Sequence, residues 1–362
     1  MSQQSHLELT DLNIAFGGAS VIRDLSLAVS RGESVVIFGP SGSGKTTLLK
    51  LIAGNMVPDS GSIAINGQDA TRLEPEHRGV AMAFQTFALY PHMSAFDNIA
   101  SPLKQKGFDR NEIDRRVRAT ASMLKIEHVL SHNPGALSNG QKQRTALARA
   151  LVPEADIVLL DDPLRNVDAK LRYEMRLELP RVIAEFNATL LYVTQDFKEA
   201  MALGDRVAVL LDDGTLHQID TPSAVYDAPA DADVAELFGD PPINLLDVRP
   251  TRGGDGHVNV CIGDTELPAP SCPDSLVESD CRVGIRPEDV QIVDEQADNT
   301  VAFLLETTLP LNVRTATRLV HDNGLAVTGS EWALDESTAS KKNTKVWARV
   351  DLSNAVYFPA AS

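Results

Sequence analysis

The stretch ESVVIFGPSGSGKTTLLKLIAG, Glu33 to Gly54, constrains this chain more than any other. A continuous apolar run of the fully buried kind leads into a glycine-rich turn, and a helical segment closed by Gly54 follows. The turn fits G-x-x-x-x-G-K-[ST] and stands between strand and helix, the setting in which that pattern has a mechanism. Its residues Gly39, Pro40, Ser41, Gly42, Ser43, Gly44, Lys45, Thr46 and Thr47 form the candidate phosphate cradle. Backbone N–H groups in such a turn converge on phosphate oxygens, and the positive end of the helix adds to the field. Lys45 is expected to neutralise β/γ-phosphate charge and Thr46 to ligate Mg²⁺.

The run ADIVLLDD supplies a second element. Four apolar residues carry a buried strand and present Asp161 at its end, where a carboxylate holds the Mg²⁺ shell of a bound nucleotide. An apolar run ending in Asp is a common strand terminus, so the reading rests on its pairing with the cradle. ATLLYVTQ is a further buried strand, and helical patterns such as RNEIDRRVRATASMLKI, QKQRTALARALV and KLRYEMRLELPRVIAEF stand between the strands. This alternation predicts an α/β domain with parallel central strands, preceded by the short strands LELTDLNIAF, SLAVS and GSIAINGQ. Near residue 238 the pattern changes to short Val/Thr-rich runs separated by Pro and Gly, which predicts a small all-β domain or barrel. The expected domains are 1–238 and 239–362, in keeping with a chain of 362 residues, too long for one small core.

A net charge of −17, from 50 acidic and 33 basic residues, excludes the basic footprint of a non-specific nucleic-acid binder. It leaves room for a local anion site, and no nucleic-acid partner is expected. Cys261, Cys272 and Cys281 match no zinc spacing and form an odd set, so buried or semi-buried reduced thiols in a cytosolic protein are expected. The first residues, MSQQSHLELT, lack the basic and apolar regions of a signal peptide. No window approaches about 18 uninterrupted apolar residues, so a membrane role is expected only through partners.

On further motifs the chain resembles the ATP-binding subunit of ABC transporters. LSNGQKQRTALARAL, Leu137 to Leu151, is similar to the family signature, AFQTFALYPHMSAFDNIASPLK to the Q-loop segment, and LRNVDAKLR to the D-loop. The likeness covers residues 7 to 238, and LFGDPPINLLDV with VGIRPEDVQIV extends it to the C-terminal domain of carbohydrate and polyol importers. It implies a RecA-like P-loop α/β domain with antiparallel β and helical subdomains, followed by an all-β, OB-like regulatory domain of the TOBE type. It also implies ATP and Mg²⁺ bound between two ATPase subunits, with each site completed by the other subunit's signature. By resemblance, Phe16 stacks on adenine, and Ser138, Asn139, Gly140 and Gln141 face the ATP of the other subunit. Asp168 is the D-loop aspartate. Gln85 senses Mg²⁺ and the attacking water, and residues 86 to 98 help receive a permease coupling helix.

Departures from the family pattern fall on the groups that act on water. Asp162 stands where the family has a catalytic Glu, with roughly 1.5 Å less reach, a loss of positioning worth on the order of 10²–10⁴ in rate. Gln195 stands where the family has a His; its amide can donate to phosphate but carries no charge near neutral pH. Arg165 replaces a small D-loop residue and needs an acceptor, expected across the dimer interface. Asn139 replaces a glycine; Asn tolerates left-handed backbone angles better than other non-Gly residues, so the turn is expected to survive. Asp196 and the helix after it read as ordinary surface.

The resulting expectation is the ATPase subunit of an importer of a sugar, polyol or glycerol-like solute, with Asp162, Gln195 and Gln85 as catalytic residues. Expected partners are two transmembrane permease subunits, a second ATPase subunit, identical or (favoured by the altered site) non-identical, and indirectly a solute-binding protein. The expected place is the cytoplasmic face of the membrane. Import of a polyamine, iron or another anion is an alternative reading. So is a mainly structural ATP-binding clamp with little hydrolysis.

Overall fold

The structure is a computed structural model that describes residues 5–84, 86–254, 256–293, 295–297, 299–311, 314–331 and 344–360. Gln85 lies outside them. The chain divides into two compact units, Met1–Ser223 and Ala224–Ser362.

In the first unit, β1 (Leu7–Phe16) and β2 (Ala19–Val29) alternate buried and exposed residues and pair antiparallel. β3 (Ser34–Phe38) is apolar on both faces and leads through the glycine-rich turn into α1 (Lys45–Ala53). β4 (Ser60–Ile65) and β5 (Gln68–Asp69) complete a four-stranded antiparallel sheet in the order β2-β1-β4-β5. β6 (Val80–Ala83) precedes three helices, α2 (Ala95–Gln105), α3 (Arg110–Met123) and α4 (Asn139–Leu151), which pack on one another as a helical subdomain. Ser94, Asp109 and Ser138 cap these helices by accepting backbone N–H bonds. Next come β7 (Ile157–Asp161), α5 (Ala169–Phe186), β8 (Thr189–Thr194), α6 (Phe197–Leu203), β9 (Arg206–Leu210) and β10 (Leu216–Asp220). The second sheet has the order β10-β9-β3-β8-β7-β6 and is parallel except for β10. Every residue of β7 and β8 is buried, as expected of parallel strands covered on both faces.

The second unit takes most of α7 (Pro222–Asp227), then α8 (Ala232–Leu237), β11 (Asn244–Val248), β12 (Thr251–Arg252), β13 (Val258–Ile262) and β14 (Thr265–Pro268). It continues with β15 (Cys281–Ile285), β16 (Val290–Val293), β17 (Thr300–Leu311), β18 (Arg314–Val320), β19 (Ala326–Glu331), β20 (Lys345–Val350) and β21 (Val356–Pro359). These strands form three sheets, β11-β15-β21, β12-β13-β14 and β16-β20-β17-β18-β19, around a shared apolar core that includes Val283, Val301, Phe303 and Leu319. The three cysteines are free; Cys281 is buried and Cys272 half-buried, but Cys261 is exposed, against the expectation for it.

The division at Ser223/Ala224 precedes the compositional change at residue 238. Packing explains the difference. Ala232 and Ala235 of α8 bury against Ile243 and Phe358. The buried Arg286 guanidinium donates to the carbonyls of Tyr226 and Phe238, both at 2.5 Å, and lies 3.9 Å from the centre of the Tyr226 ring. Turn chemistry changes at 238, but these anchors tie the preceding helices to the β-rich unit.

Asp289 sits half-buried beside that arginine, and burial, then Glu288 and Asp351, push its carboxyl up to about 6. Its folded value is raised above its unfolded one. Its contribution to stability is therefore complete below about pH 4 and is lost as pH rises through about 6. Asp289→Asn should stabilise the second unit by about 1 kcal/mol at pH 8, after discounting for solvent screening. The gain should vanish near pH 4, as read by urea unfolding at the two values.

Candidate functional site

Phe38 of β3 lies opposite Thr194 of β8, and Asp161 of β7 lies opposite Val193 of β8. Because the strands end together, Gly39, Asp162 and Gln195, each the first residue beyond its strand, emerge at one sheet edge, where open α/β sheets bind ligands. A cavity of about 270 Å³ opens there. Ser41, Gly42, Gly44, Lys45, Thr46 and Thr47 line it from the turn, and Asp161, Asp162 and Gln195 line it from the strand ends. Gly44 has φ +94°, and a Cβ there would stand 2.8 Å from the Val21 carbonyl, so only glycine fits this entry to α1.

Lys45 is 5 % exposed. Its Nζ donates to the carbonyls of Gly39 (3.0 Å) and Pro40 (2.5 Å) and to Ser43 Oγ (3.1 Å), so those residues shape the cradle from behind. Burial lowers its pKa to about 8, against the opposing pull of Asp162 and Asp161. Thr46 Oγ1 donates to Asp161 Oδ1 at 3.0 Å. Asp161 is 4 % exposed; burial pushes its carboxyl up, and the Thr46 bond, Lys50 and Lys45 hold it down. This hydroxyl and carboxylate pair, both hard oxygen donors facing the cavity, fits Mg²⁺, which takes one or two protein oxygens and completes its shell with phosphates and water.

Asp162 is 7 % exposed and has φ +43°, a left-handed conformation that Asp adopts more readily than most residues. Its N–H donates to Val193 O at 2.9 Å, which fixes the exit of β7 against β8. Burial pushes its carboxyl up, while Arg165, whose Nη1 lies 3.6 Å from Asp162 Oδ2, is the largest opposing influence. Arg165 thus finds its acceptor within its own chain and lines the cavity, rather than needing one across an interface.

Gln195 is exposed, but the strand end beneath it is locked. The Tyr192 hydroxyl and Thr194 Oγ1 each donate to Glu199 Oε2 at 2.8 Å, wholly inside the protein. Asp196 is more than ordinary surface: it accepts from the Lys198 N–H at the start of α6 and pairs with Arg172 Nη1 at 3.6 Å. Arg172 Nη2 reaches the carbonyls of Val167 (3.3 Å) and Arg165 (3.5 Å), so one side chain ties the end of β8 to the turn after Asp162. Arg172, Glu199 and Val21, which also lines the cavity, were missed by sequence reasoning. The acid-rich spacing Gln-Asp-x-x-Glu after a strand was the one available signal.

Other expected residues lie off this cavity. Phe16 is 46 % exposed beside the β1–β2 turn. Ser138 caps α4, and Gln141 returns a bond to the Ser138 N–H at 3.0 Å in a reciprocal capping box. Asn139 is the first residue of that helix and is not left-handed, so its tolerance of such angles is not called upon. A Cβ on Gly140 would fall 2.3 Å from Leu171 Cδ2, so the glycine lets α4 and the start of α5 approach. Asp168 caps α5 by accepting from Leu171 N–H at 3.0 Å. The buried Gln143 donates to the Pro163 carbonyl and links α4 to the segment after Asp162.

Fold and cavity together define a P-loop nucleoside-triphosphate site. Residues 22–165 match the family model described as ABC transporter. A sn-glycerol-3-phosphate import ATP-binding protein, UgpC, of Yersinia enterocolitica is 41 % identical over 87 % of this chain and 86 % of its own length. The trehalose/maltose import ATP-binding protein MalK of Thermococcus litoralis is 43 % identical over 78 % of each chain. A dimeric post-hydrolysis structure of the ATP-binding cassette MJ0796 with ADP and Pi superposes with a TM-score of 0.54 at 29 % identity, covering 60 % of this chain and 98 % of that one. This chain belongs to the ABC transporter family of ATP-binding proteins and is an ATPase of that type.

The lock under Gln195 makes a prediction of its own. Tyr192→Phe deprives the buried Glu199 carboxylate of one donor and should cost about 1–3 kcal/mol. Burial already raises the Glu199 pKa, and losing a donor raises it further. A raised carboxyl value means stability lost as pH rises, so urea unfolding should show a larger deficit at pH 8 than at pH 5.

Proposed function

We propose that this chain is the ATP-driven subunit of a solute importer that takes up a sugar, polyol or glycerol phosphate through two membrane permease subunits. It works as a peripheral protein on the cytoplasmic face. The names of the relatives, glycerol-3-phosphate, trehalose/maltose and lactose transporters, support this cargo class.

One observation carries the coupling role. A groove of about 610 Å³ lies at the edge of the helical subdomain, lined in part by Met82, Phe84, Tyr90, Lys106 and Arg149. Phe84 and Tyr90 are exposed aromatic residues. The segment around them is held in place from below. Asn98 accepts from Tyr90 N–H at 2.7 Å and donates to the carbonyls of Tyr90 and Met93, both at 3.1 Å. Arg149 donates to the carbonyls of Ala88 (2.8 Å) and Phe87 (3.1 Å), two residues with positive φ. A rigid, aromatic-lined groove suits a short amphipathic helix of a permease. Phe84→Ser combined with Tyr90→Ala should reduce co-purification with the permease at least about tenfold and leave ATP binding in place. A wild-type chain that never co-purifies with a permease would favour the clamp reading instead. Uptake driven by a polyamine or iron salt would favour the alternative cargoes.

Within the site, Lys45 and the turn N–H groups bind the phosphates, and Thr46 and Asp161 hold Mg²⁺. The ion neutralises phosphate charge. Phe16 stacks on the base, and Ser138 to Gln141 and Asp168 complete the ATP site of a second ATPase subunit, either a copy of this chain or a non-identical one. Gln85 acts beside the attacking water together with Asp162 and Gln195. Asp162 is short, buried and shared with Arg165, and Gln195 is uncharged, so the chain holds ATP more readily than it cleaves it. Asp162→Glu with Gln195→His should raise turnover by about 10²-fold or more, measured as phosphate release by the chain alone and with candidate ATPase partners. Fast wild-type turnover alone, abolished by Asp162→Asn, would refute slow hydrolysis. The second unit is proposed to be regulatory and OB-like.

A further inference from the structure

Arg165 is the residue of the cavity that the function above leaves without a task. Its main chain is fixed: its N–H donates to Asp162 O at 3.3 Å, and its carbonyl accepts from Arg172 Nη2 at 3.5 Å. Its side chain is about half exposed, lines the cavity with Lys45, and pairs with Asp162 at 3.6 Å. That separation is long for a charge-assisted bond, which prefers about 2.7–2.9 Å. A half-exposed pair at this distance is weak and readily exchanged. A triphosphate entering the cavity brings more negative charge than Lys45 alone neutralises, and a guanidinium fork matches phosphate oxygens better than it matches one carboxylate oxygen.

We propose that Arg165 reads the terminal phosphate of ATP bound in its own subunit: its guanidinium leaves Asp162 and closes on the γ-phosphate. The exchange needs only side-chain rotation, because the backbone on both sides is pinned. It also frees the Asp162 carboxylate, whose second oxygen is no longer shared, to accept a hydrogen bond from water. Arg165 would then make the site discriminate ATP from ADP, and the inference rests on the ATP site assigned above.

Binding of ATP and ADP, each with Mg²⁺, to the full chain tests this by calorimetric titration. Arg165→Ser should weaken ATP about tenfold, the size of one charge-assisted hydrogen bond, and change ADP by less than about twofold. Arg165→Lys, which keeps the charge but not the fork, should fall between. The ATP/ADP ratio of the wild type should drop more steeply with salt than that of Arg165→Ser. An unchanged ATP/ADP ratio in both variants overturns the proposal, as does tighter ATP binding by Arg165→Ser, which would make the arginine a blocking latch. Should Arg165→Ser fail to melt cooperatively, the Arg165→Lys ratio decides alone. Lys45→Ala separates the two levels of inference: wild-type ATP affinity in that variant would defeat the ATP site itself, whatever Arg165 does.

Discussion

The register that sets Phe38 opposite Thr194 and Asp161 opposite Val193 is the constraint on which the site depends. Three parallel strands end at one sheet edge, and the residues that follow them, Gly39, Asp162 and Gln195, come together at the cavity. A slip of one residue in β8 would turn Val193 and Thr194 to opposite faces and carry Gln195 away from the glycine-rich turn. The Asp162 N–H to Val193 carbonyl bond extends that register one residue past the sheet. Below it, Tyr192, Thr194 and Glu199 stitch the end of β8 to α6. The precision of the cavity is thus inherited from strand pairing and a buried polar lock, rather than from the loop alone.

The charges gathered at this edge are each unfavourable alone and compatible together. Burial raises the carboxyl values of Asp161 and Asp162 and lowers that of Lys45; the lysine and the two carboxylates oppose this effect on one another, whereas Asp161 adds to it at Asp162. Lys45 is further held by two carbonyls and a hydroxyl, and Asp161 by the Thr46 hydroxyl. The charges and dipoles of the site are thus gathered about one cavity and held there by neighbouring groups of the protein. Among these groups the Asp162–Arg165 pair is the loosest, being longest in distance and nearest to solvent.

What was legible in the sequence was local or periodic. The buried run, glycine turn and helix of Glu33 to Gly54 declare themselves because strand, turn and helix signals lie in order within a few residues. The all-β character of the last third followed from its turn residues, and the family was legible in the signature and D-loop strings. Partners distant in sequence were not. Nothing in the pattern says that Arg165 turns back to Asp162, that Arg172 bridges to Asp196, or that Glu199 is buried under Tyr192, because charged residues at helix starts are ordinarily solvated. The unit boundary escaped for a similar reason: Arg286 reaches back across 60 and 48 residues to the carbonyls of Tyr226 and Phe238, a link without compositional trace. Asn139 suits a left-handed turn by residue type, but as the first residue of α4 it has no need of one.

Asp162 joins the local and the distant parts of this argument. At φ +43° its backbone occupies the left-handed region, in which Asp is enriched. Its N–H is tied to Val193 and its carbonyl accepts from Arg165, so the main chain cannot advance to recover the reach that a shorter side chain gives up. The carboxylate can be placed only by rotation about its own side-chain bonds, and Arg165 competes for one of its oxygens. Geometry and charge therefore work in the same direction, holding the carboxylate back from water until a stronger anion draws the guanidinium away. The slow cleavage and the phosphate sensing proposed for this chain thus share one origin, a residue pair three positions apart on a single turn.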